Sequence, residues 1–157
     1  MMKIRIEIRG TAELRTALEN ALSDELRRDV VGAMATELLQ KTEGAFFSER
    51  YRPLPWAPLA KSTLRRKKKD TRMLMDTFTM VRGFAVEDAD AYGAAIANTQ
   101  KYAVYHQFGT RRMPARPFVP ATGGFGDILE PIPAAKEEMH KSGAAAMTAA
   151  LRRAGLL

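Results

Sequence analysis

Few residues in this chain are equipped for chemistry, and the densest group of them is cationic: Arg65-Arg66-Lys67-Lys68-Lys69 sets five positive side chains in a row. Such a run attracts phosphate backbones through counterion release, with a steep dependence on salt. It serves equally as a solvated loop or helix end that faces an acidic patch on another protein. No zinc-finger spacing or phosphate-cradling glycine loop accompanies it, and aromatic residues do not interleave with it as a base-stacking platform requires, so the protein-facing reading is preferred. His106 is the second candidate. An imidazole titrates near neutral pH, but a general base needs a nucleophile or carboxylate partner, and none is recognisable beside it. Tyr102, Tyr105 and Phe108 read instead as the packing surface of a short helix, His140 as an exposed residue among Glu137, Glu138 and Lys141, and Met73, Met75 and Met80 as adaptable packing. With no cysteine and two histidines, disulfides, thiolate metal sites and cysteine nucleophiles are excluded, and no metal, cofactor or catalytic residue is expected.

One domain spanning residues 1–157 is expected to carry these groups, since 157 residues suffice for a core but not for two generous ones. Lys and Arg number 25 against 18 Asp and Glu, for a formal charge of +7, and 46% apolar residues exclude wholesale disorder. Between Ala60 and Arg72 seven cations face the single acid Asp70, so most of the net charge is local. No apolar run approaches the ~18–20 residues of a membrane span, and the N-terminus does not read as a signal peptide, so no membrane contact is expected.

The alternation Lys3-Ile4-Arg5-Ile6-Glu7-Ile8-Arg9 predicts a strand that Gly10 ends. Leu14, Leu18, Leu22, Leu26, Val30, Met34 and Leu38 recur every four residues, which is helical, but a spacing of four outruns the 3.6-residue turn by ~40° per step. Ser23-Asp24-Glu25 offers an N-cap with acids behind it, so a helix over about 12–21 and a second over about 25–47 are predicted. Pro53, Pro55 and Pro58 mark a structured loop that Trp56 pins to the core. Apolar residues at even positions from Leu74 to Val86, the acidic tip Glu87-Asp88-Ala89-Asp90 and the run Tyr92 to Ala97 predict a β-hairpin with a four-residue loop; the small residues of its return strand suggest a helix close against it. Lys101 to Phe108 predicts two helical turns stopped by Gly109; Met113 to Pro120 predicts a stiff extended arm, Gly123 to Gly126 a joint, and Ala134 to Arg153 a final helix. The fold class expected is α+β: a small antiparallel sheet, made of the N-terminal strand and the hairpin, packed against the long N-terminal helical region and the C-terminal helix.

Two stretches carry a resemblance. Tyr102-Ala103-Val104-Tyr105-His106-Gln107-Phe108-Gly109-Thr110 and Pro114-Ala115-Arg116-Pro117-Phe118, preceded by Trp56-Ala57-Pro58-Leu59, Thr63 and the basic run, resemble the virion morphogenesis or tail-completion family of tailed bacteriophages, especially Mu-like contractile-tailed phages and their prophages. The likeness covers roughly residues 46–120. One departure is that the family's glycine-containing turn before its first hairpin strand here reads Arg72-Met73-Leu74-Met75-Asp76-Thr77, without the glycine. The resemblance implies a non-enzymatic structural protein acting in tail completion or head–tail joining, present in the host cytoplasm before assembly and then in the virion. Its expected partners are other tail or head–tail connector proteins and further copies of itself in a homo-oligomeric ring.

The residues supply a physical reason for such a role. A proline-stiffened arm has little freedom left to lose on docking, Arg116 can offer its guanidinium fork to a carboxylate or to backbone carbonyls, and Phe118 can act as an apolar anchor, either on a neighbour or folded back on its own core. The expected subunit or partner interface therefore comprises Tyr102, His106, Gln107, Phe108, Arg111, Arg112, Arg116 and Phe118. Opposite charges at Arg65, Arg66, Lys67, Lys68 and Lys69 and at Glu87, Asp88 and Asp90 suggest head-to-tail contacts that close a ring. The alternative is a small basic nucleic-acid-binding protein that uses Lys61 to Arg72.

Overall fold

The computed structural model describes residues 2–4, 23–67, 72–124, 129–153, 155 and 157, and opens on strand β1 (Met2–Ile4). The strand predicted from Lys3 to Arg9 overlaps this element only at its start; its remainder, and the helix predicted over 12–21, lie outside the described residues.

Ser23 starts the longest helix, α1 (Asp24–Phe47), from extended backbone, and its hydroxyl accepts from Leu26 N at 3.4 Å. Asp24 and Glu25 then place negative charge on the helix N-terminus, where the aligned peptide dipoles favour it. Val30, Met34, Leu38 and Thr42 are buried at steps of four, and the step to Ala45 and Phe46 brings the stripe back onto the same face. Thr42 resolves its own burial by donating to Leu38 O at 2.8 Å.

Helix α2 (Lys61–Arg66) is a short turn at the start of the basic stretch. The hairpin that follows pairs β2 (Phe84–Glu87) with β3 (Ala95–Asn98), and β1 joins the other edge of β3, so the sheet runs β1-β3-β2 and is antiparallel throughout. Every residue of β3 is buried, and its small side chains Ala95 and Ala97 flank the Ile96 that joins the core. Asn98 is tolerated there because its amide donates to Met80 O and accepts from Gln100 N, both at 2.8 Å. After α3 (Ala103–Phe108), a short pair β4 (Ala121–Thr122) and β5 (Glu130–Pro131) leads into α4 (Pro133–Arg153).

The layers follow from these faces. Helix α1 lies on β2 and β3, and α4 packs along α1 with opposed direction, Ser142 donating to Ala33 O and Arg153 pairing with Asp29 at 2.6 Å. Gly143 permits that approach, since a Cβ there would stand 2.9 Å from Met34 Cγ. One continuous core joins α1 and α4 to the sheet through Phe46, Phe84, Ile96, Phe118 and Met139. The chain is therefore α+β, as its sequence predicts.

The hairpin differs from its prediction in two respects. Its first strand begins at Phe84 rather than Leu74, because Leu74 (φ 61°) and Phe78 (φ 58°) adopt left-handed backbone and Val81–Gly83 form a 3-10 turn, neither compatible with an extended run. Its loop spans 88–94 rather than four residues: Asp88 takes φ 51°, and Asp90 Oδ1 accepts from Tyr92 N and Gly93 N at 2.7 and 2.8 Å, closing a turn where the return strand was expected to start. The β4–β5 pair has no counterpart among the predicted elements.

Candidate functional site

The two motif stretches of the sequence meet in space. Trp56 Nε1 donates to Pro117 O at 2.7 Å, while Arg116 reaches back to Ala57 O (Nε, 2.9 Å) and Pro58 O (Nη2, 3.0 Å). Proline leaves these carbonyls without a helix or ladder to join, and the guanidinium fork satisfies two of them together. Gln107 Oε1 accepts from both Phe118 N (3.0 Å) and Val119 N (3.1 Å), and Arg116 N donates to His106 O at 2.7 Å. The arm is thus fastened to α3 behind it and to the proline loop in front. Phe118 is fully buried against Phe46 (5.3 Å between centroids, 27° between planes) and edge-on to Phe84 (5.3 Å, 66°); Phe46 in turn meets Trp56 edge-on at 5.8 Å. Gly109 makes the return possible. Its φ of 75° and ψ of −179° belong to glycine alone, and a Cβ would lie 2.8 Å from Ala115 N.

Beside this lock is a cleft of about 430 Å³ between α2, the turns 74–80, α3 and the arm. Leu59, Leu74, Met80 and Met113 supply apolar wall, Tyr102 and His106 aromatic wall, and Lys67, Arg112 and Arg116 positive charge; Asp76 is the one acid of its lining among the described residues. Arg111 and Arg112 form the tip of a two-residue turn closed by reciprocal hydrogen bonds between Thr110 and Met113, of 2.8 and 3.1 Å. Tyr102 stands edge-on to His106 at 6.1 Å. Burial, and secondarily the positive charge of Arg116, lowers the His106 pKa below its ordinary 6.5, and its buried Nδ1 has no hydrogen-bond partner among the described residues. A neutral imidazole of this kind completes a wall. Among the described residues no group of three or more His, Asp or Glu could hold a metal ion.

Of the residues singled out from the sequence, Gln107, Arg116 and Phe118 turn inward and hold their own chain, the folded-back alternative for Phe118. Tyr102, Arg111 and Arg112 are exposed, and His106 and Phe108 are half-buried. Arg65 and Arg66 are exposed on α2; Lys67 is half-buried and donates to Arg72 O at 2.6 Å, and Lys68 and Lys69 lie outside the described residues. Asp88 and Asp90 are exposed and Glu87 is half-buried. Sequence reasoning missed Phe46 as the hub of the aromatic cluster and Arg52, whose guanidinium lies 3.9 Å from the Trp56 ring centre while its Nε donates to Ala45 O at 2.7 Å. The first was readable only as one more helical apolar position; the second had no periodic signal.

The family model that describes the phage virion morphogenesis family matches residues 10–150, spanning both motif stretches, the cleft, α1 and most of α4. No curated protein and no solved structure matches the chain significantly.

Proposed function

The chain belongs to the phage virion morphogenesis family, and from that premise we propose that it is a non-enzymatic structural protein of tail completion or head–tail joining that works as a homo-oligomeric ring. The match over residues 10–150 is the observation that carries a role in phage assembly, in association with other virion proteins. Among the described residues no helix is long and apolar enough to cross a membrane. The finer reading draws support from the architecture: the arm is locked to α3, so the backbone that carries Tyr102 and the Arg111-Arg112 turn is already ordered before docking and only side-chain freedom is lost. Tyrosine and arginine together are the residue types that anchor protein interfaces.

The test is genetic and structural. A phage deleted for this gene is expected to make heads and tails that fail to join or to mature, with infectivity restored by the wild-type chain, and immunogold labelling of complete particles is expected at one end of the tail. Normal infectious particles lacking the chain would overturn the reading. A nucleic-acid role predicts instead tight, salt-dependent DNA binding that is lost when Lys67, Lys68 and Lys69 are replaced by alanine.

A further inference from the structure

We infer that the arginine rims of the cleft dock an acidic segment of a different virion protein. The inference rests on the assembly role proposed above and deepens it by naming the chemistry of the partner. Ala60, Thr63 and Lys67 of α2 and its end line one side of the cleft, and Arg112, Met113 and Pro114 of the turn after α3 line another. Arg66 adjoins Lys67 on the first rim and Arg111 adjoins Arg112 on the second; all three arginines are exposed, as is Arg65. Among the described residues, no hydrogen bond, ion pair or ring contact engages these four guanidiniums. Residues 68–71 add two lysines against Asp70, so the sequence keeps this region positive.

A second copy is poorly suited to fill these rims. The sequence sets acids side by side in three places, Asp24-Glu25, Glu87-Asp88 and Glu137-Glu138. Each place is already engaged within its own chain: Asp24 pairs with Arg27 at 3.3 Å, Glu137 and Glu138 pair with Lys141 at 2.8 and 3.5 Å, and Glu87 and Asp88 have partners as well. With a net charge of +7, copies brought together at this face repel one another. The anion must therefore come from another molecule. Composition decides between protein and nucleic acid. Leu64 on α2 and Tyr102 in the cleft wall are each 42% exposed, and Leu59, Leu74, Met80 and Met113 supply further apolar wall, so apolar surface alternates with guanidinium forks as it does at protein hot spots. A phosphate backbone has nothing to bury against such walls, and α2, six residues or about 9 Å long, is too short to lie along a DNA groove and read it. An acidic segment gives carboxylates to the rims and an apolar side chain to the cleft.

Full-length chains carrying R66K, R111K or R112K, each supplied to a phage deleted for the gene, place an amine where a guanidinium stands. A water-soluble carbodiimide joins an amine to a touching carboxylate and leaves phosphodiesters alone. Treated particles are expected to yield, by mass spectrometry, a peptide cross-linked from position 112, and from 66 or 111, to an Asp or Glu of another virion protein. Wild-type particles are expected to yield none from these positions. The double variant R111E/R112E is expected to lower the copies per particle at least about tenfold while leaving the urea midpoint of the purified chain unchanged. Cross-links to acids of a second copy make the face homotypic and overturn the assignment. Particles that hold the chain but give no cross-link from any of the three positions overturn it and leave the assembly role standing, as does a DNA duplex that binds the purified chain and is released by R111E/R112E. Infectious particles without the chain overturn both.

Discussion

Gln107 shows how a side chain that reads as surface-directed can be structural. Its single oxygen caps two buried amides of the arm, Phe118 N and Val119 N, so Gln107→Leu keeps the volume and orphans both donors. At about 1–3 kcal/mol per unsatisfied group the expected loss is roughly 2–6 kcal/mol, read as a lower urea midpoint at unchanged slope. Arg116→Lys removes the fork while keeping the charge; an ammonium can hold the Ala57 or the Pro58 carbonyl but not both in the present geometry, and a loss of about 1–2 kcal/mol is expected in the same measurement. His106 gives a pH signature. Its folded pKa lies below its unfolded value of 6.5, so the unfolded chain takes up the proton first. The stability present above pH ~6.5 is therefore lost as pH falls from there through the folded pKa, and levels off below it. Urea midpoints measured between pH 8 and 5 are expected to fall with this sign, and His106→Gln is expected to flatten that part of the profile; a profile unchanged by the substitution would exclude His106 as its source.

At the scale of elements, the arm depends on one backbone conformation. Gly109→Ala forces a Cβ into glycine-only φ/ψ space and within 2.8 Å of Ala115 N and 3.0 Å of Met113 O, where only backbone could move away. Strain of about 1–3 kcal/mol plus the clash predicts a loss of at least ~3 kcal/mol, with the Trp56 fluorescence reporting release of its contact to Pro117. The segment before β2 holds the converse case. Leu74 and Phe78 occupy left-handed backbone without being glycine. Phe78 is held beneath the Arg72 guanidinium, 5.3 Å from its ring centre, and Met75 between them is fully buried, so packing sustains what the local backbone opposes. That opposition is why an alternating pattern from Leu74 onward became a strand only at Phe84.

For the whole molecule, the exposed cations Arg65, Arg66, Arg111 and Arg112 set the expectation for assembly. Contacts between exposed charges weaken as the Debye length shrinks from ~10 Å at 0.1 M salt to ~3 Å at 1 M. The contact proposed above is therefore expected to weaken between those concentrations, read as chain released from particles, while the urea midpoint of the fold, which rests on the Phe46–Phe84–Phe118 cluster, is expected to change little. Attachment indifferent to salt would place its contacts on apolar surface instead.

Periodicity and capping sufficed for α1 and α4, whereas α2, without an apolar period or a side-chain cap, was not foreseen. Ser23 begins α1 and Pro133 begins α4 where the sequence puts them, because a cap and a fixed φ act within one turn and need no distant partner. The α+β class, the hairpin and the stop at Gly109 were legible for the same local reason. The direction of the arm was not. Proline dictates that 113–120 be extended, but an extended segment has no preferred face, and whether Arg116 and Phe118 point toward a neighbour or inward depends on carbonyls at Ala57 and Pro58 and a ring at Phe46, some 60 to 70 residues away in the chain. Only folding brings those partners within reach, and it alone gathers Lys67, Met80, His106 and Arg112 around one cleft.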